Sequence, residues 1–275
     1  MRRLIAALLL AFAALPAAAG TLGLEGKATQ GGLLFGKVEP GARVMLDGKP
    51  VEVAADGSFV IGFGYEARPE AALVVRHLDG SAEEQALAVA QRRYEVQRIN
   101  GLPEAMVSPP AELLARIKAE QALIDKARAS DFHEPLFRSG FVWPVVGKIT
   151  GVFGSRRILN GEPRQPHFGV DIANAVGTPV ASPADGIVTL AEPDLYLTGG
   201  TLIIDHGLEL SSTFLHLSAI EVKVGDRVRQ GQEVARMGAS GRATGPHLHW
   251  GMNWRSARLD PALLVPPMPA ALAKP

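Results

Sequence analysis

Residues 184–217 read ADGIVTLAEPDLYLTGGTLIIDHGLELSSTFLHL, and this stretch decides the fold class. Three short apolar runs, at 187–190, 201–204 and 212–215, are separated by glycine-containing turns such as Asp185-Gly186 and Gly199-Gly200. Runs of this length between turn residues are typical of β-strands joined by tight connections, and no helical pattern lies between them. The stretch therefore predicts an antiparallel β architecture rather than alternating βαβ units.

Gly and Pro residues recur at short intervals on both sides of this stretch. We therefore predict an antiparallel β-sheet domain with a groove over residues 141–265, followed by a frayed tail at 266–275. Residues 20–95 are also strand and turn, and predict a small β-sandwich. Asp47-Gly48 and Asp56-Gly57 are strong turn signals there, because glycine accepts the positive φ of a tight turn. Residues 32–63 resemble the Ig-like modules of exported bacterial proteins.

Residues 96–140 are predicted as a linker that carries one amphipathic helix. Ser108 can cap it and Pro109 suits the first turn, and apolar residues follow at helical spacing through 113, 117 and 124. The helix either packs on a domain face or acts as a spacer. The chain is therefore predicted to be mainly β, with a single linker helix.

Residues 1–19 have the pattern of a secretory signal peptide. Arg2 and Arg3 precede an apolar run at 4–15 and the small residues 17–19. The run is shorter than the ~20 residues that span a bilayer, so we predict cleavage after Ala19 and no membrane span, with an uncleaved N-terminal anchor as the alternative. Together with the absence of cysteine, this favours a periplasmic protein stabilised by burial rather than by disulfides.

The charge balance excludes general electrostatic attraction to nucleic acid. Without Arg2 and Arg3 the chain has 26 basic and 28 acidic side chains, a net charge near −2. Nucleic-acid binding proteins instead carry a concentrated positive surface.

Histidines cluster in the predicted β-sheet domain, which contains His167, His206, His216, His247 and His249. His167 and Asp171 are four apart in an apparently extended segment, so they share a face, and so do His247 and His249, which are two apart. His216 ends the run 213–215. Three strands could thus present imidazoles and a carboxylate to one groove.

Such a set suits zinc, which in catalytic sites takes three protein ligands and leaves one position open. The remaining imidazoles can then serve as general base and electrostatic partner. Taken singly, each histidine could equally be an ordinary polar residue, and Asp171 a turn carboxylate. Spacing leaves open which of His247 and His249 would bind the metal. His206, beside Gly207, is interpreted as structural.

Three motifs, HFGVDI at 167–172, FLHLS at 214–218 and GPHLHW at 245–250, resemble the signatures of the lysostaphin/LytM-like M23 metallopeptidases. The resemblance covers residues 143–255. It implies that His167, Asp171 and His249 bind one zinc ion. It also implies that His216 and His247 are catalytic, positioning and deprotonating the zinc-bound water that attacks a peptide bond.

The resemblance further implies a peptidoglycan substrate and hydrolysis of its peptide cross-links. Arg156, Arg164 and Asn160, just before the first ligand, are assigned to substrate binding. Placed on a groove wall, Arg156, Arg157 and Arg164 could bind stem carboxylates, and solvated loop charges are the alternative. In some relatives a preceding residue fills the open zinc position, and Asn160 and the N-terminal domain are candidates for this role. A regulatory envelope protein is a further expected partner.

A different class of function is a metal-free module that activates a cell-wall amidase by binding it. Modules of that kind lack several of the metal and catalytic positions. All five positions are present in this chain, which favours an enzyme.

Overall fold

The computed structural model describes residues 22–129 and 132–269. The predicted signal peptide lies outside these residues. Within them the chain is mainly β, and the predicted fold class is confirmed. None of the helices in the described ranges is long and apolar enough to cross a membrane.

The N-terminal part consists of two antiparallel sheets that share one apolar core. Their strands are β1 (Leu24–Gly26), β2 (Leu33–Lys37), β3 (Arg43–Leu46), β4 (Lys49–Val51), β5 (Ser58–Gly62), β6 (Glu70–Arg76) and β7 (Ala82–Ala88). The orders are β1-β2-β5 and β4-β3-β6-β7. Leu33 and Phe59 from one sheet are buried with Val44 and Leu73 from the other. This is the predicted sandwich arrangement.

The connection between β3 and β4 shows how local sequence determines this region. Asp47 and Gly48 have φ values of 49° and 75°, which are the two positive angles of a type I′ turn. The strands on either side pair in register, with Leu46 opposite Lys49.

Residues 96–129 contain β8 (Val96–Ile99), α1 (Glu104–Val107) and α2 (Ala111–Arg128). The predicted cap is wrong: α2 begins after Pro110, which makes no side-chain cap, and Ser108 instead ends α1. The reason is the Pro109-Pro110 pair, because a residue that precedes proline is excluded from the helical region. Helix α2 itself is present, as predicted.

The C-terminal part is dominated by one ten-stranded sheet. The strands after α2 are β9 (Lys148–Gly151), β10 (Arg156–Leu159), β11 (Glu162–Pro163), β12 (Val170–Ala173), β13 (Pro179–Ala181), β14 (Gly186–Leu195), β15 (Gly199–Asp205), β16 (Leu210–Ile220), β17 (Arg227–Val228), β18 (Glu233–Met237), β19 (His247–Trp254) and β20 (Ala257–Leu259). The main order is β17-β14-β15-β16-β19-β12-β9, and its pairings are antiparallel.

The segment predicted as a linker contributes to this part of the fold. Strand β8 pairs in parallel with β10, and β10 continues through a hairpin into β11. Helix α2 packs through Ile124 and Ala127 on Leu190, Leu195 and Ile203 of β14 and β15. Residues 96–129 therefore lie against the C-terminal sheet as well as connecting it to the sandwich.

The two faces of the large sheet have different roles. Leu248, Trp250 and Met252 of β19 are fully buried in the main core, and they alternate with residues that face the other way. His247 and His249 belong to this second face, as the period of two in a strand requires. Thr213 pairs with Gly251, which lies on the same face of β19 as His249, and Ile203 pairs with Thr213. Ile203 contacts α2, so α2 packs on the histidine-bearing face of the sheet.

The start of the predicted tail is anchored. Trp143 donates a hydrogen bond from Nε1 to the carbonyl of Pro266 at 2.7 Å, and Met268 packs against the core. Prediction of a frayed tail from residue 266 is therefore wrong for its first residues. Residues 270–275 lie outside the described part of the chain.

Candidate metal centre

Three side chains converge on one point at the histidine-bearing face: His167, Asp171 and His249. Asp171 Oδ1 lies 2.8 Å from His167 Nε2 and 2.9 Å from His249 Nδ1, and the two nitrogens are 2.9 Å apart. The ligand atoms of the two histidines and the aspartate could together hold a metal ion. It is His249 rather than His247 whose nitrogen joins the trio.

Two of the three residues are placed by strand register. Asp171 on β12 lies directly opposite His249 on β19, so both side chains leave the same face. His167 precedes β12 and is held by backbone bonds between residues 154–155 and itself. Placement of His167 and Asp171 by simple alternation along one strand is therefore wrong, because the strand begins only at Val170.

The tautomer of His167 suits metal binding. Its Nδ1 lies 3.1 Å from the carbonyl of Val152 and donates to it, which leaves Nε2 with a lone pair directed at the trio. Burial lowers the pKa of His249 to about 4, so this ring is neutral at pH 7. Each imidazole therefore directs one ring nitrogen at the trio, and that nitrogen can serve as a ligand once it carries no proton.

Asp171 is held ionised in spite of its environment. Burial would raise its pKa, but hydrogen bonding and charge from His167 and His249 outweigh burial and hold the pKa well below its usual range. Arg157 donates from Nη2 to Oδ2 at 2.7 Å, so one carboxylate oxygen is occupied and Oδ1 faces the histidines. This ion pair leaves Oδ1 as the carboxylate oxygen that faces the histidines.

The donor set fits a small divalent cation. Two neutral nitrogens and an anionic oxygen that converge to 2.8–2.9 Å repel one another unless a cation or protons lie between them. Zinc bonds of 2.0–2.2 Å in tetrahedral geometry place ligand atoms roughly 3.3 Å apart. A few tenths of an ångström of side-chain movement would therefore accommodate the ion.

Two glycines leave room for these ligands. A Cβ at Gly151 would lie 2.4 Å from Asp171 Oδ2, and one at Gly169 would lie 2.6 Å from His249 Nε2. Both are impossible contacts for a real side chain. Gly151 belongs to β9, beside the Asp171 carboxylate.

His216 and His247 form a second pair beside the trio, with ring centroids 4.8 Å apart. His216 donates from Nδ1 to the carbonyl of Ser240, and His247 donates from Nδ1 to that of Gly245, each at 2.8 Å. The Nε2 atom of each ring is thereby left to accept. His247 Nε2 lies 3.8 Å from Asp171 Oδ1, close to the centre but outside direct contact.

His216 reaches this position through a β-bulge. Strand β16 continues beyond it to Ile220, so the prediction that His216 ends the strand is wrong. The register between β15 and β16 shifts by one between residues 214 and 217, and His216 itself has φ 64°. A bulge of this kind changes the direction of a side chain, and here it turns His216 from the core face to the face that carries His247.

The environment of His216 keeps it neutral. Burial, reinforced by the neighbouring His247 and His249, lowers the pKa of His216 to about 3. An uncharged ring with its proton on Nδ1 can accept a hydrogen bond at Nε2.

The arginines predicted to bind substrate are placed differently from one another. Arg156 is exposed, whereas Arg164 is half-buried and donates to Ser108 Oγ at 3.1 Å. Arg242, which the sequence analysis missed, is close enough to Arg157 and Arg164 to be repelled by them, and it donates to the carbonyl of Met106. The Nε atoms of Arg157 and Arg164 are buried without a partner among the described residues.

Asn160 has a structural position. Its Nδ2 donates to the carbonyl of Leu102 at 2.7 Å, and its Oδ1 accepts from the Leu102 amide. With φ values of 48° and 91°, Asn160 and Gly161 form the turn between β10 and β11. Both amide atoms are engaged away from the trio, so neither substrate binding nor occupation of the open metal position suits Asn160. The Asn-Gly pair was a hairpin signal in the sequence.

The remaining histidines are occupied elsewhere. His206 is fully buried between the carbonyl of Asp185 and Ser212 Oγ, and burial lowers its pKa to about 4. His77 pairs with Glu39, and His133 contacts Glu52.

Comparison with known proteins places this site in a family. The model of Peptidase family M23 matches residues 165–261, which include the trio and the histidine pair. The chain is 36% identical over 135 residues to the peptidoglycan DD-endopeptidase ShyA of Vibrio cholerae, covering 48% of this chain and 31% of that protein. It is 32% identical over 190 residues to an uncharacterized metalloprotease of Haemophilus influenzae, covering 67% and 35%. The chain thus spans about a third of the length of these curated relatives.

A solved structure extends the match over most of the chain. A crystal structure from Pseudomonas aeruginosa, described as a peptidase M23, is 31% identical, with a TM-score of 0.68. The likeness covers 86% of this chain and 95% of that one, so it includes the N-terminal sandwich as well as the large sheet. The chain belongs to peptidase family M23.

Proposed function

We propose that this protein is a zinc-dependent endopeptidase that hydrolyses the peptide cross-links of bacterial peptidoglycan. The observation that carries the proposal is the convergence of His167, Asp171 and His249 within 2.9 Å, with His216 and His247 beside them. The relatives support the substrate class, because ShyA is named a peptidoglycan DD-endopeptidase. The amidase-activator alternative is not favoured, since it has no use for a complete set of five side chains.

In this proposal a zinc ion held by the trio supplies Lewis-acid chemistry to water and to the scissile carbonyl. Arg157 holds the outer oxygen of Asp171 and so orients the carboxylate. His216 and His247 are placed to accept a proton at Nε2 from the attacking water, because their Nδ1 protons are committed to backbone carbonyls. A ring that has taken this proton can then donate from Nε2 to the oxyanion. Proton transfer is thus confined to one atom of each ring.

For substrate binding we propose Arg164 together with Arg242, and the exposed Arg156 as a further contact at the edge of the groove. The guanidinium group of Arg242 lies close enough to those of Arg157 and Arg164 to be repelled by them, and Arg157 pairs with the Asp171 carboxylate, so this cluster of positive charge favours an anionic ligand. In the free protein Arg164 donates to the hydroxyl of Ser108 and Arg242 to the carbonyl of Met106, both uncharged acceptors. A stem carboxylate would form stronger, charge-assisted bonds in their place.

The bond we propose is that between D-alanine and the side-chain amine of the diamino acid in the next stem. Digestion of purified dimeric muropeptides is then expected to give monomers with intact D-alanine ends, identified by mass spectrometry. Stem peptides released from the sugar would indicate an amidase, and cleavage confined to polyglycine bridges would contradict the argument from carboxylates. We further propose that the protein acts in the periplasm, on the composition of residues 1–19.

The fit of Asp171 against Gly151 gives a test of the metal centre. Gly151→Ala is expected to weaken zinc binding by about 10- to 100-fold, the usual effect of disturbing the support of a ligand. The physical reason is the 2.4 Å clash of the new Cβ with Asp171 Oδ2. Zinc affinity is measured by competition with a chromogenic chelator. Gly23→Ala is the control, since its Cβ meets nothing within 4 Å; equal affinity of both variants would contradict the predicted crowding.

A further inference from the structure

A second cationic site lies on the histidine-bearing face, away from the metal centre. A cavity of about 520 Å³ opens between the end of α2 and the β19–β20 hairpin. Its charged lining residues are Asp125, Arg128, Glu209, Arg255 and Arg258, and Asn253 and Ser256 are its polar ones. We refer to it as the Arg128–Arg258 pocket.

Two of its three arginines have no carboxylate within 4.0 Å among the described residues. Arg255 is paired with Glu209, whereas no ion pair joins Arg128 or Arg258 to an acidic group among the described residues. Arg128 donates to Thr213 Oγ1 at 3.2 Å, and its buried Nε has no partner in the described part of the chain. Arg258 makes one long bond, of 3.4 Å, to Asn253 Oδ1.

Arg128 and Arg258 are half-buried, and their guanidinium groups are close enough to repel one another. Burial, followed by the charge of Arg258, lowers the pKa of Arg128 to about 9, and burial lowers that of Arg258, while attraction to Asp125 opposes both shifts. Burying charges that are not paired destabilises a folded protein. The arrangement is costly for the free protein, but it is suited to a ligand that supplies the missing negative charge.

The position of the pocket relates it to the metal centre. Asn253 and His249 lie on one strand and one face of the sheet, four residues apart, which corresponds to about 13 Å. Thr213, which Arg128 contacts, lies opposite Gly251 between them. Thr213 and Gly251 are themselves buried, so a ligand that reaches both sites has to lie outside this part of the strand. A span of about 13 Å corresponds to about four residues of an extended peptide.

We propose that the Arg128–Arg258 pocket binds a carboxylate of the stem peptide, about four residues from the bond that is cut. A planar guanidinium pair matches the two oxygens of a carboxylate, and the cavity has the volume of a small-molecule site. The proposal rests on the proposed peptidoglycan substrate. It assigns recognition of the substrate to residues outside the matched motifs.

The test uses binding rather than turnover. Isothermal titration of the zinc-loaded full chain with a disaccharide-tetrapeptide, a monomer that is not cleaved, gives Kd. Arg258→Gln and Arg128→Gln are each expected to raise Kd by about 10-fold or more, as for loss of a charge-assisted hydrogen bond. Arg255→Gln, which makes the same change of charge beside the same cavity, is expected to change Kd less than about threefold. Amidation of the stem carboxylates should remove the difference between wild type and Arg258→Gln.

Thermal unfolding separates recognition from a structural role. Removal of an unpaired buried charge is expected to leave the Tm of Arg258→Gln unchanged or higher, whereas a structural arginine would lower it. Arg258→Lys keeps the charge and should retain part of the binding. A lower Tm with unaltered Kd, or an equal loss in Arg255→Gln, would overturn the proposal.

Two further measurements, a titration with phosphate and a cleavage assay, identify the ligand. Titration with inorganic phosphate is expected to show no binding that depends on Arg258; if it does, the pocket is a site for free oxyanions and the stem assignment fails. Cleavage of dimeric muropeptides is measured in parallel. Binding that depends on Arg258 without any cleavage would refute the proposed activity and leave the pocket standing, and the reverse result would refute the pocket alone.

Discussion

Asp171→Ala is expected to abolish stoichiometric zinc binding and, with it, peptidase activity. Asp171 is the single anionic member of the trio, and a three-ligand site that loses one ligand retains too few to hold the ion. The substitution also leaves Arg157 without its 2.7 Å carboxylate partner, so a positive charge would remain beside the empty position. Loss of the ligand and repulsion of the cation therefore act in the same direction.

The measurement is zinc per chain by elemental analysis after dialysis, with activity on dimeric muropeptides. His167→Ala and His249→Ala are expected to give the same result. Asp171→Asn keeps the shape of the side chain and removes its charge, so it separates lost charge from lost volume. His77→Ala, which removes a histidine of the N-terminal sandwich, is the control and should keep its zinc. Full zinc in all three alanine variants of the trio would refute the assignment.

Part of this centre could be predicted from the sequence because strand periodicity is local. His247 and His249 are two residues apart with an apolar residue between them, and the observed strand puts both on one face. The mainly β fold was predictable in the same way, from short apolar runs between Gly-containing turns. The resemblance to family M23 rested on three motifs that the fold brings to one place.

Other parts depend on contacts between distant segments, which periodicity does not describe. His167 lies outside β12 and is held by the backbone of residues 154–155. Arg157 and Arg164 are seven residues apart, yet one binds Asp171 and the other Ser108. The sequence of the arginine-rich segment 156–164 does not indicate which of its side chains contacts Asp171. Arg242 was missed because no motif or spacing marks it.

The segment predicted as a linker illustrates the same limit. Pairing of β8 with β10 joins residues about 60 apart, and only the folded chain makes it visible. The Asn160-Gly161 turn, in contrast, follows from local sequence alone, because an Asn-Gly pair accepts the two positive φ angles of a tight hairpin turn.

His216→Ala is expected to keep zinc and to lose activity by about 10²-fold or more, the usual scale for a general base or an oxyanion partner. His216 does not contact the trio directly: its ring centroid is 6.4 Å from that of His249, and its own hydrogen bond goes to Ser240. The left-handed φ of 64° and the bulge in β16 bring this ring to the site. Backbone strain of this kind is retained where the position of a side chain matters for function.

The companion variant is His247→Ala, for which the same separation of zinc content and activity is expected. Its Nε2 is 3.8 Å from Asp171 Oδ1, so it is near the ion without being one of the converging atoms. Zinc content and turnover number are measured on the same preparations, with thermal unfolding to show that the bulge survives. Near-normal turnover would remove the substituted histidine from the mechanism. His249 Nδ1 is the nitrogen that meets Asp171 Oδ1 and His167 Nε2, so His249 is expected to be the third ligand. Loss of zinc in His247→Ala together with its retention in His249→Ala would contradict this and would mean that the two histidines have the opposite roles.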